Sequence, residues 1–246
     1  MEYPYITIGC PVRDRSLYLP HYLNCIKNQD YPLEKVTLLF IENDSQDSTL
    51  SILNNFKNEN SSIFHRIKIL NYNQNTPSDK RNTIIREQYT YSALSKLRNY
   101  WLAQIKTDFA ISCDSDIMMP PDTVKKLVSH NLDYVAGLIV NGYIIKPENP
   151  YLFTNILNKN KLTYKHISDY PENSLIEVDF SGAVMCLSKK ACKLGIFNWH
   201  KQGEDAIFCE SLKQQGIKLY CDTGCKCTHL MTDELLEKFK NEGFFF

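Results

Sequence analysis

The sequence has no long apolar run and no surplus of charge of either sign. None of its apolar stretches approaches the length of a membrane span, and its start, Met1-Glu2-Tyr3-Pro4, does not resemble a signal peptide. Lysine plus arginine and aspartate plus glutamate both total 28, which gives a formal net charge of zero. A chain without net charge is a poor candidate for binding nucleic acid through a broad basic face. We therefore expect a soluble cytoplasmic protein with no membrane span and no nucleic-acid partner.

Glycine-rich nucleotide motifs are also missing. After its first apolar segment the chain has neither Gly-x-Gly-x-x-Gly nor Gly-x-x-x-x-Gly-Lys-[Ser/Thr], which argues against a Rossmann dinucleotide site and against a P-loop. The nine cysteines are scattered and odd in number. In a reducing compartment we expect them to be buried free thiols and not a disulfide framework.

Apolar segments alternate with helical patterns in the first third of the chain. One helix begins at Leu19, and a second follows Asp47, a candidate N-cap. This β-α-β-α-β order predicts an open α/β sheet with right-handed crossovers. The strands are predicted at residues 6–10, 35–41 and 67–72.

The rest of the chain continues the alternation with one irregular region. Residues 145–174, rich in Asn, Lys, Tyr and Pro, are expected to form loops or a small hairpin. Ser188 is a candidate N-cap, and a turn is expected at 222–224, before an extended segment at 225–230. Helices are predicted at 80–105, with one break, and at 122–130, 189–194, 204–215 and 232–241, and strands from 109, at 132–140, at 175–180, at 183–187 and at 217–221.

The central predicted strand ends at two carboxylates. Asp114 and Asp116, separated by Ser115, follow the apolar residues that begin at Phe109. In an extended chain the two aspartates share a face. Acids at the end of a buried strand need a positive partner, and together they can hold a hard divalent cation through oxygen. The alternative is a pair of solvated acids in a turn.

Polar residues follow the other predicted strands as well. Arg13 and Arg15 come after the first strand, and Glu42, Asn43 and Asp44 come after the second. Ligands of open parallel sheets bind at the carboxyl ends of the strands. Acids there can accept hydrogen bonds from a base and a ribose, while a cation and arginines hold phosphates. The pattern suits a nucleotide diphosphate.

Six segments together carry a resemblance to a known family. The chain resembles a nucleotide-sugar-dependent glycosyltransferase of the GT-A fold, close to the large family-2 group, over nearly its whole length. Glu42 and Asn43 stand where that family has paired acids, and Asp44 replaces its glycine, so the base of the nucleotide stays open. The segments are Ile41–Thr49, Leu97-Arg98-Asn99, Cys113-Asp114-Ser115-Asp116, Phe180-Ser181-Gly182, Gly203-Glu204-Asp205 and His229.

The resemblance implies a fold and an activity. The fold is α/β, an open, mostly parallel twisted sheet with helices on both faces and a small C-terminal acceptor-side extension. One domain would span 1–246, with a nucleotide-sugar-binding half at 1–142 and an acceptor-side half at 143–246. The activity is transfer of a sugar from a UDP- or GDP-linked donor to a glycan, lipid-linked or protein acceptor. The transfer would depend on Mn²⁺ or Mg²⁺ and would invert the anomeric centre.

The resemblance also assigns roles to residues. Asp205 is the candidate base, with Glu204 second, and both lie in a first helical turn, where the dipole favours a charged carboxylate. The metal ligands are Asp116, His229 and Asp114, the last of which is assigned to the ribose or to the metal through water. Acceptor contacts fall on Gly182, Trp199 and His200, and donor contacts on Pro11, Arg13, Glu42, Asn43, Arg98, Asp114 and Ser115.

Three alternatives remain open. Cys221, Cys225, Cys227 and His229 would form a structural zinc site if their side chains converged. A sugar-1-phosphate nucleotidyltransferase also uses acids and Mg²⁺ on an α/β sheet, but it would need a glycine-rich basic loop where Gly9-Cys10-Pro11 has one glycine. A non-catalytic module that binds a nucleotide sugar or a glycan is the third.

Overall fold

The computed structural model describes residues 2–78, 83–141, 153–160 and 163–245. The strands are β1 (Ile6–Gly9), β2 (Pro11–Val12), β3 (Val36–Glu42), β4 (Arg66–Asn71), β5 (Phe109–Cys113), β6 (Ile117–Met118), β7 (Tyr134–Asn141), β8 (Phe153–Thr154), β9 (Leu157–Asn160), β10 (Thr163–His166), β11 (Leu175–Val178), β12 (Val184–Ser188) and β13 (Leu219–His229). The helices are α1 (Leu19–Lys27), α2 (Thr49–Asn60), α3 (Thr83–Ile85), α4 (Tyr91–Ala103), α5 (Thr123–Ser129), α6 (Lys189–Leu194), α7 (Glu204–Gln214) and α8 (Asp233–Glu242).

One large sheet runs through the described part of the chain. Its main path is β11-β13-β7-β12-β5-β1-β3-β2, with β4 also on β3. Strands β5, β1, β3 and β4 are mutually parallel, as are β7 and β13. Strand β12 lies antiparallel between β5 and β7 and so joins the two parallel sets. The predicted open, mostly parallel α/β sheet is confirmed. Strands β9 and β10 pair separately as an antiparallel hairpin.

The sheet separates two apolar layers. In β3, Leu38 and Phe40 contribute to one layer while Leu39 and Ile41 contribute to the other, as the alternation of side chains requires. Helices α1, α5 and α8 cover the first layer, and α4, α6 and α7 cover the second. Trp101 fixes α4 over β3, because its buried indole N–H donates to the carbonyl of Leu39 at 3.0 Å. That contact sets the height of Arg98, about one turn earlier on the helix.

Most predicted elements are present within a few residues of their expected bounds. The expected turn at 222–224 is instead a bulge inside β13, where the pairing with β7 shifts between Asp222 and Lys226. Ser188 caps α6 as predicted, since its side chain accepts the Ala191 N–H. Asp47 lies one residue before the cap of α2, and its carboxylate accepts the N–H of Thr49.

The long helix predicted at 80–105, with one break, is helical throughout residues 83–103. A π-helical segment, Arg86–Thr90, joins α3 to α4 without interrupting the helical path. A π turn accommodates an extra residue in a helix, so the pattern shifts while the helix continues. The predicted start at Lys80 lies outside the described residues, as does the boundary between the two halves at 142 and 143.

The bulge in β13 also bears on the zinc alternative. Cys221 lies in the apolar layer under α7, whereas Cys225 and Cys227 lie in the layer on the opposite face of the sheet. The shift in register reverses the alternation of side chains, so Cys221 does not share a face with Cys225 and Cys227, four and six residues later. The four side chains therefore do not converge on one ion. All nine cysteines are free and buried.

Gly9 allows the chain to pass closely over β3. A Cβ at this position would lie 1.9 Å from the Leu39 carbonyl oxygen, and the φ angle is +153°. Glycine is therefore required where β1 ends, before β2 resumes pairing with β3 at Pro11.

We expect Gly9→Ala to lower the free energy of unfolding by more than about 3 kcal/mol, because the methyl group meets fixed backbone. Gly216→Ala is the matched control, since its φ is +75° and no atom lies within 4 Å of its Cβ position. That substitution should cost only the backbone strain of about 1–2 kcal/mol. Urea denaturation of both variants measures the difference. Equal losses would show that Gly9 does not carry a steric constraint.

Candidate active site

A cluster of charged side chains forms where β5, α4 and α7 meet. Arg98 of α4 is buried, and its Nε donates to Glu204 Oε1 at 2.8 Å. One terminal nitrogen donates to Asp114 Oδ1 at 2.8 Å, and the other to the Ser112 hydroxyl at 3.2 Å. Burial opposes the charge of Arg98, yet Asp114, Asp205 and Glu204 raise its pKa well above the usual value. One arginine therefore joins the Asp-x-Asp segment to the start of α7.

Asp205 differs from its neighbour Glu204 in its surroundings. Its Oδ1 is buried, has no hydrogen-bond partner among the described residues, and lies 3.9 Å from Arg98 Nε. Burial raises the pKa of Asp205 to about 7, against the effect of Arg98, and the charges of Glu204 and Asp114 add to the rise. A carboxylate that is ready to accept a proton near neutral pH is what a general base requires.

The Asp205 carboxylate packs directly against Gly182, which has no side chain. A Cβ on Gly182 would lie 2.4 Å from Asp205 Oδ2, so the carboxylate occupies the volume that a larger residue would fill. Ala183, the next residue, has a φ of +67°, and its backbone N–H bonds the Asp205 carboxylate. A left-handed alanine costs about 1–2 kcal/mol, so this turn is held by its surroundings.

A second group lies at the end of the same Asp-x-Asp segment. Asp116 Oδ1 is 3.7 Å from His229 Nε2, and Asp116 Oδ2 is 3.4 Å from a terminal nitrogen of Arg15. Burial opposes ionisation of Asp116, yet His229 and Arg15 hold its pKa well below the usual value. The backbone also joins the two segments, because the Leu230 N–H donates to the Asp116 carbonyl at 2.8 Å.

Asn141 determines which nitrogen of His229 faces Asp116. His229 Nδ1 lies 2.6 Å from Asn141 Oδ1, an amide oxygen that can only accept. Nδ1 therefore carries a proton, and Nε2 is the ring nitrogen that faces Asp116. Metal-bound histidines are oriented by a partner of this kind on the second nitrogen.

Asp116 and His229 fit a divalent ion. Two ligands at right angles on Mg²⁺ or Mn²⁺ lie about 3 Å apart, so the observed 3.7 Å needs only a small adjustment. In the part of the chain that the structure describes, no three His, Cys, Asp or Glu side chains are arranged around one ion. Asp114 faces Arg98 instead. Other oxygen ligands would therefore come from a bound phosphate group and from water.

The residues after β3 are buried and hold their own loop. Glu42 Oε1 accepts the Ser45 N–H at 2.9 Å, and the Asn43 amide donates to Asp44 Oδ2 and to the Tyr72 carbonyl, both at 2.9 Å. Asp44 has a φ of +54° and accepts the Gln74 N–H. The glycine that the resembled family has at Asp44 is replaced by a residue that tolerates this left-handed conformation.

The remaining donor-side residues surround this loop. Pro11 lies beside the end of β3, paired with Ile41. Arg13 is next to Asp14, at 3.6 Å, and its Nε is buried without a hydrogen bond to the described residues. Ser115, between the two aspartates, is 5% exposed, so its side chain offers little surface to a ligand.

The acceptor-side candidates lie on the segment before α7. Trp199 is 48% exposed, and its indole N–H donates to the Glu87 carbonyl at 2.5 Å. His200 Nδ1 accepts the Gln202 N–H at 3.2 Å, and partial burial lowers the pKa of the ring. Asn99 fixes this segment, because its side chain exchanges two hydrogen bonds with the backbone of Phe197, at 2.8 and 2.9 Å.

Three polar residues that received no role from the sequence organise the site. Arg15 was named only with Arg13, as an arginine after the first strand where phosphates could bind. Asn141 ends a predicted strand, which was a signal available in the sequence. Asn155 gave no signal, because it lies in the irregular region. Its buried amide bonds the carbonyls of Gly137 and Gly182 at 2.9 and 3.0 Å, and its oxygen accepts the Ile139 N–H. Asn155 thereby supports the turn on which Asp205 rests.

Solved structures share this architecture. A mannosyltransferase from Pyrobaculum calidifontis, PcManGT, solved in complex with GDP-Man and Mn²⁺, aligns with a TM-score of 0.60 at 14% identity, over 94% of this chain and 58% of that chain. TarS 1–349 from S. aureus, solved with UDP-GlcNAc, aligns with a TM-score of 0.58 at 15% identity, over 94% of this chain and 60% of that chain. The fold is thus the GT-A type that the sequence resembles.

The Anp1 family model matches residues 2–187, so the chain belongs to the Anp1 family. A glycosyltransferase 25 family member of Aedes aegypti is 24% identical over 186 residues, which cover 68% of this chain and 30% of that protein. One from Anopheles gambiae is 22% identical over 150 residues, which cover 57% of this chain and 24% of that protein. The chain thus spans less than a third of either relative. The resemblance to GT-A glycosyltransferases is confirmed.

We expect Arg98→Met to lower the free energy of unfolding by about 3–5 kcal/mol, because it leaves buried carboxylates without their cation. Lys96→Met is the matched control, since Lys96 is exposed on the same helix. Its loss should change stability by less than about 0.5 kcal/mol. Chemical denaturation at neutral pH measures both variants. A loss below about 1 kcal/mol for Arg98→Met would contradict its role as the buried counter-ion.

Proposed function

We propose that this chain is a glycosyltransferase that moves a sugar from a nucleotide-diphosphate donor to an acceptor hydroxyl, with Mn²⁺ or Mg²⁺ and with inversion. The observation that carries the proposal is the set of contacts made by Arg98. That side chain joins Asp114 of the Asp-x-Asp segment to Glu204 and approaches Asp205. Donor-side and base candidates therefore form one continuous cluster.

The donor is a UDP- or GDP-linked sugar. The two solved neighbours were crystallised with GDP-Man and UDP-GlcNAc, which supports both bases equally. Asp114, next to Arg98 and 34% exposed, is placed to accept from ribose hydroxyls. Glu42, Asn43, Pro11, Arg13 and Ser115 complete the donor side, with Glu42 and Asn43 acting through the loop that they hold.

Asp116 and His229 would hold the divalent ion. When bound, the ion supplies positive charge to the leaving diphosphate. Arg15 is next to Asp116 and would add a further positive charge on the same side. Asn141 holds Nδ1 of His229, so Nε2 is the nitrogen that would ligate the ion.

Asp205 is the base, and Glu204 is not. Glu204 is bonded to Arg98 at 2.8 Å and is only 6% exposed, whereas one oxygen of Asp205 has no partner in the part of the chain that the structure describes. In the transfer, Asp205 takes the proton of the acceptor hydroxyl while that oxygen forms a bond to the anomeric carbon. The bond from that carbon to the diphosphate breaks, and the diphosphate leaves with the electron pair. Attack opposite to the leaving group inverts the centre.

The acceptor lies against Gly182, Trp199 and His200. Trp199 presents a half-exposed ring, of the kind on which sugars stack, beside the segment that leads to Asp205. The acceptor class, whether glycan, lipid-linked or protein, follows from no feature of this face. The division into a donor half at 1–142 and an acceptor half at 143–246 belongs to the proposal.

The cytoplasmic location also remains a prediction. The nine free thiols accord with a reducing compartment. None of the helices in the part of the chain that the structure describes combines the length and apolarity that crossing a bilayer requires.

The test is incubation with UDP- and GDP-sugars, with and without Mn²⁺, followed by measurement of released nucleotide. Metal-dependent release from one donor supports the proposal. Release of pyrophosphate from a nucleoside triphosphate and a sugar phosphate would instead show a nucleotidyltransferase. Donor binding without either reaction would show a non-catalytic module.

Asp116→Asn should lower metal-dependent nucleotide release by about a hundredfold or more, because a ligand of the ion is lost. Asp122→Asn is the control, since Asp122 is an exposed acid six residues away that pairs with Lys126 at 2.7 Å. Circular dichroism should show both variants folded. Full activity of Asp116→Asn would show that Asp116 does not bind the ion.

Asp205→Asn should keep donor binding and lose transfer by about 10²–10⁴-fold, because the proton acceptor is gone. Its stability should also respond to pH. The folded pKa of about 7 lies above the ordinary 3.8, so the folded wild type holds a proton that the unfolded chain has released. Wild-type stability must therefore fall, relative to Asp205→Asn, as pH rises from about 4 to about 7.

Denaturation at pH 5 and pH 8 measures this difference without any substrate. Glu204→Gln is the companion variant, and it should disturb stability through the lost partner of Arg98. A constant stability difference between wild type and Asp205→Asn would show that Asp205 is ionised throughout, and retained transfer would place the base elsewhere.

A further inference from the structure

The amino-terminal edge of the sheet contains a cavity of about 340 Å³. Strands β1, β3, β4 and β5 are parallel and begin at this edge, whereas the candidate active site lies where β5 ends. The cavity and the active site are therefore at opposite edges of the same strands. No residue with a role in the proposed transfer lines the cavity.

The cavity forms where small side chains of the sheet lie beyond the end of helix α4. Thr7 of β1 pairs in register with Thr37 of β3, which pairs with Arg66 of β4. Residues paired in this way point to the same face of a parallel sheet. Helix α4 covers that face but ends at Ala103, so none of the described helices lies over this row.

Cations without partners line the cavity. Arg66, Lys68 and Lys106 form no ion pair or hydrogen bond through their side chains with the residues that the structure describes, while Asp108 accepts the Tyr5 N–H at 3.1 Å. Three positive charges thus face one carboxylate. The carboxyl end of α4 adds partial negative charge of about half a unit, which leaves a positive excess. The chain as a whole has a formal net charge of zero, so this excess of positive charge is a local one.

Neutral donors complete the lining. The Thr107 hydroxyl donates to the Phe109 carbonyl, so in its 2.8 Å contact with Thr7 it must accept. The hydroxyl of Thr7 is therefore the donor in that contact and does not donate to a ligand. Thr37, 9% exposed, has no such partner among the described residues, and neither has the side-chain amide of Gln104. Both can donate to a ligand.

We propose that this cavity binds the phosphate group of a small phosphorylated compound, a phosphomonoester or a diphosphate. Arg66 supplies a planar pair of donors, Lys68 and Lys106 supply point charges, and Thr37 supplies a hydroxyl at the floor. The volume is at the lower end of the range for small-ligand sites, about 300–1,000 Å³. The ligand is a second one, separate from the sugar nucleotide.

The test is calorimetric titration of the full chain with inorganic pyrophosphate. EDTA is present throughout, and the titration is repeated on Asp116→Asn, so that metal-assisted binding at the active site does not contribute. Wild type and Asp116→Asn should bind equally. Lys68→Gln and Arg66→Gln should each weaken binding by about tenfold, and Thr37→Val by a smaller factor. Lys27→Gln is the control, because it removes the same charge from an exposed position on α1.

A parallel arm uses phosphatidylcholine vesicles that contain phosphatidylinositol 4-phosphate. Vesicle binding that Lys68→Gln abolishes and Lys27→Gln preserves would identify the phosphate as that of a lipid headgroup. Pyrophosphate binding without vesicle binding would identify a free metabolite. Absence of both, or equal weakening by Lys68→Gln and Lys27→Gln, overturns the proposal. Arg66, Lys68, Thr37 and Lys27 all lie outside the transfer site, so failure of the proposed glycosyltransfer would leave this result unchanged.

Discussion

The structure depends on one buried guanidinium that three carboxylates share. Arg98 neutralises part of the charge of Asp114, Glu204 and Asp205, yet if all three were ionised the cluster would keep an excess of two negative charges. Buried charge is costly without compensation, so the protein holds a proton on Asp205 up to near-neutral pH. The same shortage of positive charge is what makes Asp205 able to take up a proton. The excess of carboxylates over the single guanidinium therefore governs both the packing of this cluster and the protonation of Asp205.

The surroundings of Asp116 and Asp205 shift the pKa values of these two carboxylates in opposite directions. His229 and Arg15 lower the pKa of Asp116, so this carboxylate stays ionised. Arg98 compensates the charge of Asp205 only in part, so burial raises the pKa of this carboxylate. These carboxylates lie on segments that are joined through Asp114 and Arg98. Their different surroundings give chemically identical side chains different tendencies to hold a proton.

The alternation of strands and helices was predictable, because apolar periodicity records which face each element buries. The pairing of Asp116 with His229 followed from the resemblance alone, since no local pattern relates residues so distant in sequence. The bulge in β13 was not predictable, because Asp222-Thr223-Gly224 is equally typical of a turn, and only pairing with β7 keeps it extended. Asn155 was missed for a related reason. Its role depends on carbonyls of β7 and of the Gly182 turn that meet only in the folded chain.

The π-helical segment has a consequence for the acceptor face. Its wider turn leaves the Glu87 carbonyl available to Trp199, and farther along the same helix Asn99 holds Phe197 while Arg98 holds Glu204. Successive residues of the 197–204 segment are thus attached to a single helical stretch, residues 83–103. The aromatic platform and the first turn of α7 consequently share one mechanical support. A displacement of that helix would move the exposed Trp199 ring and the carboxylates at the start of α7 as a single body.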